Sequence, residues 1–291
     1  MSAAKNGLTS SRQSLLENLK FNQHLFRIMQ KYLLTIASFY DNIGNLENLV
    51  KRKSNYQFTQ LPKLEVNMRT CAIFDLDGTI IDNSSERAFV RYLLSKRELS
   101  LVSLANWGLY LLKTRSLHDA KTNKVYLSNK DYGHIQLLAK KCFHERLVQH
   151  ISARAVDLIQ MHQEQGHVVV LLSGSLDILV ANFKEYLGID LMIGHSLEIK
   201  DGIITGCTIG LQPYEKNKAI LAKQLAEQYE LDLSRSYAYG NHYSDVYQLS
   251  LVKHPVAVNP DRKLRRIANE NGWAIEMFHH TNHLATKFFL R

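Results

Sequence analysis

Two aspartates two residues apart, Asp75 and Asp77, follow a short apolar run from Cys71 to Phe74 and precede Gly78-Thr79. The run is too short and too β-rich for a buried helix and reads as an interior strand of a parallel sheet. Side chains alternate along extended chain, so residues two apart point the same way. Both acids therefore project from the carboxyl end of the strand, where open α/β sheets bind ligands. Two carboxylates so close repel each other unless a divalent cation or a shared proton lies between them. Gly78 lets the backbone turn sharply and approach a ligand closely. The same residue types also suit a strand-to-loop turn with no chemistry.

Further along, Val168 to Leu172 is a fully apolar, β-branched run that reads as a second buried strand. It runs into Ser173-Gly174-Ser175, and a helix is expected over Leu176 to Leu187. A hydroxyl, a glycine and the free N–H groups of a first helical turn form an anion cradle. An ordinary serine N-cap gives the same pattern. A third strand, Ser236 to Gly240, leads into Asn241-His242-Tyr243-Ser244-Asp245.

Phe74-Asp75-Leu76-Asp77-Gly78-Thr79 resembles the first signature of the haloacid dehalogenase-like (HAD) phosphatase superfamily. Taken with the later segments, the resemblance covers roughly residues 69 to 276, with four motifs in the right order, which is far more specific than any one of them. It implies that Asp75 is a nucleophile forming an aspartyl-phosphate and that Asp77 is the general acid and base. Ser173, Gly174 and Thr79 would hold phosphoryl oxygens. A lysine at the start of a later helix would neutralise both nucleophile and phosphate. Lys218 in Asn217-Lys218-Ala219 suits this best, because Ile220 and Leu221 then supply the buried face; Lys216 is the alternative. Magnesium is the implied cofactor, held by Asp75, Asp77 through its backbone carbonyl, Asn241 and Asp245. The fourth signature is usually Gly-Asp-x-x-x-Asp, so Asn241 is a departure. An amide oxygen remains a hard ligand but removes one negative charge, which predicts weaker metal binding. His242 is unusual there; it reads as a substrate contact, an extra acid/base or a structural residue.

The elements around these residues define an α/β protein: a Rossmann-like parallel-sheet core with an inserted α-helical cap and an N-terminal helical extension. Apolar residues recur at helical spacing from Ser11 to about Tyr40, including Leu15, Leu19, Phe26, Met29 and Leu33. A second helical piece is expected through Leu46 to Val50, then a polar connector to Leu61-Pro62. Glu86 to Leu94, Leu99 to Leu112, Lys121 to Leu127 and Asp131 to Cys142 read as helical, with no convincing strand over residues 85–160. The expected division is residues 1–65 as the extension, 66–84 with 162–291 as the core, and 85–161 as the cap. The resemblance is to the phosphoserine-phosphatase-like branch, whose cap selects substrate. There, an acid just after the first motif reads an amino group; the aligned position is Ser84, with Glu86 two residues on. The apolar cap with Trp107 instead suits a phosphate on a hydrophobic or larger anionic body. A hairpin about Asp201-Gly202, between Leu191 and Gly210, is expected to be peripheral and without chemistry.

Composition limits the remaining classes. The chain has 291 residues and a net charge of +9, which favours anionic partners such as phosphorylated metabolites, nucleic acid or acidic lipid without choosing among them. No nucleic-acid role is expected, and peripheral membrane contact through the N-terminal helix is an open alternative. Three scattered cysteines, Cys71, Cys142 and Cys207, indicate neither a zinc site nor a disulfide framework, and fit a reducing cytoplasm. The resulting expectation is a magnesium-dependent phosphomonoesterase for a phosphorylated metabolite or lipid-like substrate. A phosphotransferase using the same intermediate, or a binding protein with a vestigial core, are the alternatives.

Overall fold

The computed structural model describes residues 68–100, 103, 105, 107–109 and 123–278. The helices expected over Ser11–Tyr40 and Leu46–Val50, and the connector to Pro62, lie outside the described residues. So does half of Leu99–Leu112, although residues 103, 105 and 107–109 are helical.

In chain order the elements are β1 (Cys71–Phe74), α1 (Ser85–Ser95), β2 (Lys130–Asp131), α2 (Tyr132–Cys142), α3 (Ala153–Glu164), β3 (Val168–Leu176) and α4 (Asp177–Leu187). They continue as β4 (Leu191–Lys200), β5 (Ile203–Ile209), α5 (Lys216–Gln228), β6 (Tyr237–Gly240), α6 (Val246–Leu249), β7 (His254–Val258), α7 (Arg262–Asn271) and β8 (Ala274–Glu276). The eight strands form one sheet in the order β2-β5-β4-β3-β1-β6-β7-β8. β1 lies between β3 and β6, parallel to both, with Phe74 level with Leu171 and Tyr239.

The pleat of β1 divides the core in two. Ala72 and Phe74 join apolar side chains of α1, α2, α3 and α4 on one face. Cys71 and Ile73 join Ala222 and Leu225 of α5 and Leu264 of α7 on the other. All four β1 residues are buried, as a central parallel strand covered by helices on both faces requires.

Three expectations need correction. β3 continues through Ser173-Gly174-Ser175 to Leu176 rather than stopping at Leu172, and its pairing with β4 is irregular between Leu172 and Leu176. The helix thus begins at Asp177, four residues past Ser173. Residues 85–160 do contain a strand: Lys130–Asp131 pairs antiparallel with β5. Too short for a periodic pattern, it is fixed only by its distant partner. Residues 125–127 form a single 3-10 turn rather than an α-helix. The Asp201-Gly202 hairpin is present, both residues having the positive φ of a tight two-residue turn. No described helix is long and apolar enough to cross a membrane.

Gly194 of β4 lies against the start of α4: a Cβ there would stand 2.6 Å from Asp177 Cα and 2.9 Å from its N. Backbone cannot yield as a flexible side chain does. Gly194→Ala is expected to cost about 1–3 kcal/mol, read as a lower denaturant midpoint with an unchanged slope.

Candidate active site

Three strand ends meet around Asp75. Its N–H donates to Tyr239 O of β6 at 3.0 Å, and Phe74 stacks on Tyr239 with ring centroids 4.3 Å apart. β6 ends at Gly240, and the 3-10 turn Tyr243–Asp245 carries Asp245 back beneath it. A Cβ at Gly240 would sit 2.7 Å from that of Asp245, so only glycine admits this return.

Lys218, from the first turn of α5, joins the two acids. Its Nζ donates to Asp75 Oδ1 at 2.6 Å and to Asp245 Oδ1 at 2.7 Å. All three residues are buried. Asp245 Oδ2 also accepts from the N–H groups of Asn241 and His242, at 3.1 and 3.0 Å. Lys216 is elsewhere, with its Nζ above the Tyr247 ring. The helix carrying Lys218 starts after Glu215, whose φ of 47° and ψ of −125° place a non-glycine residue in a sparsely populated region. Such strain costs of order 1–3 kcal/mol and persists only where surrounding structure imposes it.

Electrostatics follow from this burial. Loss of water drives the Asp75 carboxyl up to about 7; Lys218 opposes that rise and the like charge of Asp245 adds to it. Burial alone would lower Lys218, but Asp245 and Asp75 together outweigh it and hold the ammonium above its ordinary value. With both acids ionised, two carboxylates face one ammonium, leaving one net negative charge.

Asp77 is positioned separately. Its Oδ1 accepts from Ser85 N–H at 3.0 Å and its Oδ2 from Ser175 Oγ at 3.1 Å. Ser85 Oγ in turn donates to Ser175 Oγ at 2.7 Å. Burial raises the Asp77 carboxyl, and the Ser85 and Ser175 bonds only partly offset it. The turn between Asp77 and α1 is closed by Gly78 N–H on Ile81 O and Thr79 N–H on Leu76 O. Gly78 has a φ of +81°, and a Cβ there would fall 2.0 Å from Asn241 Nδ2, so the Asn241 amide packs directly on this turn.

Two expected phosphate contacts sit differently. Ser173 Oγ accepts from Ser175 N–H at 3.1 Å within the irregular stretch of β3, so the cradle is a bulged strand rather than a helix start. Exposed Gly174 is the residue this bulge presents outward. Thr79 is fully buried, its N–H is used in the turn, and its Oγ1 has no partner among the described residues. His242 caps the following turn, its Nδ1 accepting from Ser244 N–H at 3.2 Å.

Sequence patterns missed a cavity of about 520 Å³ beside Gly174, reached by Glu86, Lys124, Tyr126 and His195. His195 belongs to the hairpin expected to be peripheral. Its alternation signalled a strand, but only the sheet order brings its ring to this cavity.

Asp75, Asp245, the Asn241 amide oxygen and the Asp77 backbone carbonyl would offer a metal an all-oxygen, hard donor set. Among the described residues no three His, Cys, Asp or Glu side chains form a metal cage. Two carboxylates with an excess negative charge nonetheless fit magnesium, which is commonly held by one or two carboxylates together with substrate phosphate.

A buried nucleophile-like acid, a lysine and a second acid at the tips of a doubly covered parallel sheet define a class of α/β hydrolytic site. The family model for haloacid dehalogenase-like hydrolases matches residues 72–250, and the chain belongs to that family. It is 29% identical over 222 residues to phosphoserine phosphatase SerB1 of Mycobacterium tuberculosis, covering 73% of this chain and 72% of the relative. It is 31% identical over 238 residues to histidinol-phosphatase of Neisseria meningitidis, covering 72% of this chain and all of the relative. A Bordetella pertussis protein of unknown function has the same fold, with a TM-score of 0.65 at 22% identity over 74% of this chain and all of that one. A substrate-bound phosphoserine phosphatase structure matches at 0.52 and 20%, over 73% and 94%. The enzyme is thus a phosphatase of the phosphoserine-phosphatase-like branch.

Replacing Lys218 leaves two buried carboxylates without their cation. Lys218→Met is expected to cost about 3–5 kcal/mol, against no more than about 1 kcal/mol for Lys216→Met. A folded-state carboxyl raised above its unfolded value near 4 retains a proton that the unfolded chain releases, so its contribution to stability falls as pH rises. Lys218 opposes this for Asp75, so in denaturant titrations the variant's deficit should grow as pH rises past about 7, where the wild-type carboxyl ionises and the variant's does not.

Proposed function

We propose that the chain is a magnesium-dependent phosphomonoesterase acting through an aspartyl-phosphate on Asp75, with a phosphorylated metabolite or lipid-like substrate. The observation that carries this reading is the buried Lys218 bridging Asp75 and Asp245. A carboxylate nucleophile meets an anionic phosphate only where positive charge is already in place. Lys218 supplies that charge at the attacking oxygen.

In the first half-reaction an Asp75 carboxylate oxygen bonds to phosphorus while the bond from phosphorus to the alcohol oxygen breaks. Asp77, whose carboxyl burial holds above the ordinary carboxylate range, gives its proton to that oxygen. In the second, Asp77 takes a proton from water as the water oxygen bonds to phosphorus, releasing phosphate and restoring Asp75. Gly174, exposed on the bulge of β3, offers backbone to the phosphoryl oxygens. Bound magnesium, held by Asp75, Asp245, the Asn241 amide and the Asp77 carbonyl, would neutralise the transferring group's charge. In this reading residues 66–84 with 162–291 are the core and 85–161 the cap over it.

Asp75→Asn is expected to reduce phosphate release from aryl phosphate to background while leaving the circular dichroism spectrum unchanged; retained turnover would refute the role. A chelator should abolish wild-type activity and magnesium should restore it. Asn241→Asp, which adds the missing charge, should lower the magnesium concentration needed for half-maximal rate.

A further inference from the structure

The cavity beside Gly174 has a charge pattern of its own. Glu86, on α1, is already neutralised: Lys124 Nζ lies 2.6 Å from its Oε1, and Tyr126 OH donates to the same oxygen at 3.1 Å. Lys124 is itself only 4% exposed. Glu86 is therefore no reader of a substrate ammonium group. Arg87 and Arg91 also line the cavity, and neither has a carboxylate within ion-pair distance among the described residues. Four residues apart on α1, they lie on one face, one turn from each other.

The other wall is apolar but not inert. Trp107 packs edge-on against Tyr126, with ring centroids 5.5 Å apart. His195 is 4% exposed, and its Nε2 and the Trp107 Nε1 have no hydrogen-bond partner among the described residues. A volume of about 520 Å³ lies in the range of pockets that enclose a sizeable organic group.

We infer that this cavity receives the alcohol half of the substrate, and that this half bears a second anionic group, a carboxylate or phosphate, held by Arg87 and Arg91. Its apolar body lies along Trp107 and Tyr126. Guanidinium groups suit either anion through paired N–H donors. The assignment rests on the phosphatase reading for the position of the scissile phosphate. It disfavours phosphomonoesters whose alcohol half carries only an ammonium group, because Glu86 is committed to Lys124.

The test is calorimetric titration of the full-length Asp75→Asn protein with 3-phosphoglycerate, a nucleoside bisphosphate and phosphoethanolamine. The first two are expected to bind more tightly than the third, and the tighter of them identifies carboxylate or phosphate as the second anion. Arg87→Gln and Arg91→Gln, added singly, should each weaken that binding roughly ten-fold or more, with Lys replacements recovering part of the loss. Equal or tighter binding of phosphoethanolamine, or binding unchanged by both Gln substitutions, overturns the inference. Wild-type turnover of p-nitrophenyl phosphate is measured alongside. If it is absent while the anion preference and its arginine dependence hold, the phosphatase reading falls and the anion site stands.

Discussion

The site depends on one buried ammonium group shared by two buried carboxylates. Lys218 lies 2.6 Å from Asp75 and 2.7 Å from Asp245, and each charge would be costly to bury without the others. The arrangement draws on three parts of the chain. β1 delivers Asp75, the return after β6 delivers Asp245, and the first turn of α5 delivers Lys218. Gly240 and the strained Glu215 are the local concessions that let those parts meet. What remains is an excess negative charge and a set of hard oxygen donors, the setting a divalent cation and a phosphoryl group would fill.

Much of this was legible in the sequence because it is local. The apolar run before Asp75 and the β-branched run at Val168 announce buried parallel strands by composition alone. Lys218 reaches Asp75 while Lys216 covers Tyr247, but not because Ile220 and Leu221 form the buried face: Ile220 is 45% exposed, and α5 buries Lys218 itself with Ala222, Leu225 and Ala226. The fate of Ser173-Gly174-Ser175 was harder to read. A hydroxyl before a helical pattern signals a cap, whereas its place in a bulged strand depends on pairing with β4.

Non-local pairing also explains what was missed. Lys130–Asp131 is a strand only because β5 lies beside it, and two residues carry no period. His195 has no spacing relation to Glu86, Lys124 or Tyr126, yet all four reach one cavity. Thr79 of the first motif is fully buried, with its N–H used in the turn at Gly78, a placement its position in the motif does not announce. Chemistry concentrated in short motifs can be read from sequence. The surface that selects a substrate is assembled from separate elements and cannot.

The two ends of the site divide the electrostatic work. At the sheet tips, the proposed reaction sets a phosphoryl group against Lys218 and the buried acids. In the cavity, the Glu86–Lys124 pair cancels one charge of each sign and leaves the arginines of α1 to set polarity. The central claim is that the phosphoryl group passes through the Asp75 carboxylate. Acid quenching during steady turnover, followed by peptide mass analysis, tests this most directly. The account predicts one phosphoryl group on the peptide containing Asp75, lost on neutralisation and absent from Asp75→Asn protein. Phosphate release with that peptide unmodified, or with the adduct on another residue, would contradict it.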